Sequence, residues 1–151
     1  MDELSRWAAE IVRIATTDSA DELGNAALRL TSSVTDDELV GIILELIRDC
    51  GRYLAGDSNA DALFGFRAST GNDVPDVDDV HPAIRAASRA LLSSMNGDDD
   101  SARLHITNVV HMGHPFESAA VVALVASWHV QVTTARWRPV GAARTEDGNR
   151  Q

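Results

Sequence analysis

The chain has 151 residues, a net charge of −10 and no lysine, since all 13 of its basic residues are Arg. Without a side-chain amine it lacks the Schiff-base chemistry of pyridoxal-phosphate and class I aldolase enzymes, and it lacks the lysine of a phosphate loop. A body this acidic repels phosphate backbones, so nucleic acid is not an expected partner.

The predicted elements are helices from the N-terminus onward. Residues 2–16 set Leu4, Trp7, Ala8, Ile11, Ile14 and Ala15 on one face at helical spacing. Ser19 and Glu22 have the spacing of a capping box and open a second helix over 20–33, with Leu23, Ala26, Ala27 and Leu30 on one side. Thr35 and Glu38 repeat that spacing and open a third helix over 36–55. Its apolar residues, from Leu39 to Leu54, cover most of the circumference, and Glu45, Arg48, Asp49 and Arg52 form a narrow polar strip. A helix apolar over so wide an arc needs neighbours on several sides, which makes this one the expected centre of the fold. Leu39, Ile43, Leu46, Cys50 and Tyr53 form one apolar stripe, on which Cys50 is expected to be buried.

A short helix over 60–66 would present Leu63, Phe64 and Phe66, and residues 69–80 read as an acidic loop. Pro82 then suits the first turn of a helix running to Met95. Asn96-Gly97 ends it, and Asp98, Asp99 and Asp100 favour the start of a helix over 99–112. Gly113 ends that helix, and His114-Pro115 begins a last one reaching about residue 134. Two segments also alternate with period two, as strands do: Leu104 and Ile106, and Trp128, Val130 and Val132. Neither is bounded by turn residues, so helix is preferred for both.

The expected architecture is all-α: a compact bundle of six or seven helices, with a C-terminal helical hairpin plus one apolar helix. One helical domain over 1–137 is expected, with 69–80 flexible and 138–151 a disordered tail. Residues 81–94 and 114–127 match at 7 of 14 positions with an offset of 33. That period resembles tetratricopeptide-type hairpins, but the second copy has no partner helix and no third copy lies upstream. An ordinary hairpin over 82–112, stacked on the following helix, is the simpler reading.

Charge and cysteine usage bear on location and partners. Residues 1–100 hold 20 acids against 8 Arg, and residues 101–151 hold 3 against 5. Cys50 is the single cysteine and cannot pair internally, which suits a reducing compartment. The N-terminal residues lack the apolar core of a signal peptide. The longest apolar run, 119–130, is interrupted by Ser127 and His129 and is too short for a bilayer. A cytoplasmic protein that does not enter membranes is expected. The Arg-only, Ala-rich composition points to a GC-rich bacterium or its phage.

Four sets of residues bear on chemistry. His105, His111 and His114 are the metal-ligand candidates, with His129 or an Asp of 98–100 as alternatives to His105 for the third ligand, but they lack the His-Glu-x-x-His spacing of zinc hydrolases. Glu38, Glu45 and Asp49 share a helix face suited to magnesium. Their spacing misses the E-E-x-x-E and E-x-x-D patterns of helical nucleotide pyrophosphatases. The acidic loop lacks the glycine and closing Glu of a calcium site. Cys50 lies on the apolar face, and a G-x-S-x-G nucleophile motif is absent. No cofactor is expected, and a metal-dependent hydrolase remains only the alternative.

The favoured expectation is therefore a protein that acts by protein–protein interaction, of the adaptor, inhibitor, immunity or assembly-chaperone type. It would dock an apolar face rimmed by Asp onto a basic partner. Trp137, between Arg136 and Arg138, is a second candidate contact, because Trp and Arg dominate binding hot spots. The 115–134 helix looks too apolar to be covered on one side only, so a homodimer through it is also expected.

Overall fold

The free amides of a helix's first turn need acceptors, and in this chain polar side chains supply them at each helix start. The computed structural model describes residues 2–17, 19–55 and 81–134. Six helices occur among them: α1 (Glu3–Ala15), α2 (Ala20–Ser33), α3 (Asp36–Ala55), α4 (Pro82–Met95), α5 (Asp99–Met112) and α6 (Pro115–Thr133). The expected helix at 60–66, the loop at 69–80, the tail at 138–151, and Arg136, Trp137 and Arg138 lie outside the described residues.

Asp2 Oδ1 accepts from the Ser5 amide at 2.7 Å, Ser19 Oγ from the Glu22 amide at 3.2 Å, and Asp98 Oδ1 from the Ser101 amide at 3.1 Å. At α3 the capping box is complete. The Glu38 amide donates to Thr35 Oγ1 at 3.1 Å, and the Thr35 amide donates to Glu38 Oε1 at 3.0 Å. α4 and α6 start differently, with a His cap followed by Pro. His81 Nδ1 accepts from the Ala83 amide and His114 Nδ1 from the Phe116 amide, both at 3.2 Å. The similarity at offset 33 therefore begins with shared cap chemistry.

Two glycines fix the C-terminal half. Gly97 has φ +80°, the left-handed conformation that ends helices. Its amide donates to the Ser94 carbonyl and the Asp98 amide to the Ser93 carbonyl, at 3.1 and 2.8 Å, which is a Schellman motif. The turn folds α5 back along α4 as a helical hairpin. Gly113 is needed for a different reason. A Cβ there would collide with the Val109 carbonyl oxygen and sit 2.5 Å from Glu117 Oε2.

The helices form an all-α bundle around one core. α6 and α3 each pack against all five other described helices, α3 only lightly against α2. Ile42, Ile43 and Ile47 of α3 are fully buried, as are Val121, Val122 and Val125 of α6 and Ile106 of α5. Burial of each such side chain contributes roughly 1.5–3 kcal/mol before the entropy of ordering is subtracted. The centre is thus a pair, α3 with α6, rather than α3 alone. The apolar circumference of α6 finds its cover inside the bundle.

Both stretches with strand-like alternation are helical. Cys50 on the apolar stripe of α3 is buried, whereas Tyr53 at its end is 60% exposed. It lies three residues beyond Cys50, about 60° around the helix, and its ring meets His129 edge-on at 6.4 Å. Among the described residues no helix is long and apolar enough to cross a membrane.

Candidate functional site

The three histidines proposed as metal ligands have separate tasks. His105 faces the groove between α4 and α5, where burial and then the Arg89 charge lower its pKa, partly offset by Asp98. His111, in the last turn of α5, reaches the first turn of α3. Its Nδ1 lies 3.6 Å from Asp36 Oδ2 and its Nε2 lies 3.7 Å from Asp37 Oδ1. His114 is committed to capping α6 through Nδ1, and its ring stacks on Phe116 at 5.0 Å. Among the described residues no three His, Cys, Asp or Glu side chains gather to hold a metal ion.

The carboxylates of α3 are likewise engaged one by one. Glu38 closes the capping box, and the Thr35 amide and hydroxyl hold its pKa below the usual value. Glu45 accepts from Ser5 Oγ at 2.8 Å, which ties α1 to α3. Asp49 pairs with Arg52 and lies 3.5 Å from His129 Nε2. Cys50 is buried among apolar neighbours, and burial followed by the Asp49 charge pushes its thiol up to about 12. A thiol so placed stays protonated and is a poor nucleophile.

What the structure does assemble is an exposed apolar corner where α5 turns into α6. Met112 is 85% exposed and Phe116 is 64% exposed, and Leu104 adds a third apolar side chain two turns earlier on α5, 57% exposed. The buried phase of α5 is Ala102, Ile106, Val109 and Val110. Leu104 and Met112 fall out of that phase, and this is the sequence signal that points to them. Asp36 and Asp37 are exposed beside His111 on one flank of α5. On the other flank Pro82, Arg85, Ala86 and Arg89 form the α4 wall of a groove whose α5 wall includes His105, Val109 and Met112.

Such a surface is suited to binding. It has flexible and aromatic apolar groups, held on a rigid turn and flanked by charge. Compared with known protein families, curated proteins and solved structures, the chain matches none.

Proposed function

We propose that this chain works by binding another protein, as an acidic helical adaptor, inhibitor, immunity or assembly-chaperone type of protein in a reducing, cytoplasmic setting. The docking element is the α5–α6 corner. One observation carries the reading: Met112 and Phe116 stand exposed at the same turn, next to the acidic first turn of α3. Their apolar area stays wet unless a partner covers it, and Asp36 and Asp37 favour a partner with basic groups beside its apolar pocket. A buried apolar anchor with a charged rim is the usual anatomy of a specific interface.

The reading is tested by placing a photo-crosslinking amino acid at Met112, at Phe116 and, as a control, at exposed Asn25 of α2. Positions 112 and 116 should trap one defined protein in the producing cell, and position 25 should not. Equal, diffuse labelling from all three positions would contradict the reading.

A further inference from the structure

α4 and α6 begin alike and at the same end of the bundle, where Pro82 and Glu117 border one groove with Gly113 at the end of α5. In each, the first helical residue is Pro, which has no amide to satisfy. In α6 the amides of Glu117 and Ser118 donate to the His114 carbonyl. The Phe116 amide relies instead on the His114 ring, through Nδ1 at 3.2 Å. The Ala83 amide of α4 uses His81 Nδ1 at the same distance. Asp2, Ser19, Thr35 and Asp98 cap the other described helices with oxygens, which remain acceptors in mild acid. An imidazole nitrogen does not. Nδ1 accepts only while the ring proton sits on Nε2, and the next proton goes to Nδ1 itself. His114 is exposed, so it exchanges that proton directly with solvent.

We infer that His114 makes the start of α6 a proton-sensitive element: mild acid releases the Phe116 amide and loosens the corner that presents Phe116. Protonation removes the cap and sets a cation against the positive end of the helix dipole. The Phe116 ring, stacked 5.0 Å from that of His114, can hold the imidazolium by cation–π attraction, but it offers the amide no acceptor. The charges around the turn are Glu117 on α6 and His111 on α5, the latter faced by Asp36 and Asp37 of α3. Arg85 and Arg89 of α4 and His105 of α5 line the groove with Glu117. Glu117 favours a cation on His114, whereas the arginines and a protonated His111 oppose one. Together these groups set the pH at which the ring takes its proton. None of them lets a protonated Nδ1 accept a hydrogen bond. The switch needs no partner, so it stands or falls apart from the docking reading, although the residue it releases belongs to the docking corner.

The test is NMR spectroscopy of the isotope-labelled full chain, titrated from about pH 8 to about pH 5.5, a window above the ordinary carboxylate range. At the upper end His114 should carry its proton on Nε2. As its ring titrates, the Phe116 amide signal should shift with the same midpoint. The exchange of that amide with water, corrected for pH, should rise at least about fivefold, the worth of an N-cap. His114→Asn supplies an acceptor that does not titrate, and there the exchange should hold within about twofold over the same window. His111→Gln should leave the wild-type response in place, which assigns it to the ring of His114. A neutral His114 with its proton on Nδ1 overturns the inference, as does a Phe116 amide that ignores the titration. So does a response that persists in His114→Asn or vanishes in His111→Gln.

Discussion

α6 is apolar around most of its circumference, yet its Val121, Val122, Val125 and Ala126 are fully buried. α5 is far more polar, yet it shows Leu104 and Met112 to solvent, with Phe116 just past its end. The two helices are joined by the Gly113-His114 turn and differ in what surrounds them. Among the described helices α6 touches all five others, whereas α5 meets α3, α4 and α6 and leaves Leu104 and Met112 exposed. The number of apolar residues on a helix says how much cover it needs, not where the chain leaves cover off. Exposed apolar surface is best sought as residues out of phase with a helix's buried stripe.

Substitution by an acid separates the two helices most sharply. Val125→Asp buries a carboxylate at the centre of the bundle and should cost more than about 4 kcal/mol or abolish the cooperative fold. Met112→Glu should change stability by no more than about 0.5 kcal/mol. Thermal and urea unfolding followed by circular dichroism would measure both. Similar losses from the two variants would break the contrast.

The turn between the helices gives the next largest effect. Gly113→Ala forces a methyl group against the Val109 carbonyl oxygen and should cost roughly 1–3 kcal/mol. Gly24→Ala is the control. It lies inside α2, where a Cβ meets nothing within 4 Å, and the substitution should stabilise by roughly 0.4–1 kcal/mol. Opposite signs from the same substitution would show that Gly113 is held by close approach at this corner.

The smallest effect lies at the acidic flank. Glu38 has a folded pKa below its ordinary 4.5, so its contribution is complete above that value and is lost as pH falls through the lower folded one. Glu38→Gln keeps an acceptor for the Thr35 amide but does not titrate. Its melting temperature should therefore fall less than that of the wild type between about pH 5 and pH 3. Identical acid limbs would remove Glu38 from the account of α3's start.

Much of this fold is legible in the sequence because helix ends are local chemistry. Thr35 with Glu38, Pro82, Asn96-Gly97, Asp98 and Gly113-His114-Pro115 mark boundaries that the structure reproduces at 36–55, 82–95, 99–112 and 115–133. Burial is not local. α3 and α6 both read as needing several neighbours, and periodicity does not say that each meets five helices. The alternation of Leu104 with Ile106 resembles a strand, but it records one residue facing solvent and the other facing the core of a helix. In the sequence the α5–α6 corner shows only as an irregularity in a helical pattern, and its surface needs the fold. The histidines are legible only as a cluster in sequence, and the turn at Gly113 sends His111 and His114 to different helices.

The most direct test of where the apolar surface lies is the rate of methionine oxidation by peroxide, read peptide by peptide by mass spectrometry. Met95 packs against the core and Met112 stands in solvent. Met112 should form sulfoxide at least about tenfold faster than Met95. Equal rates at Met95 and Met112 would contradict the account.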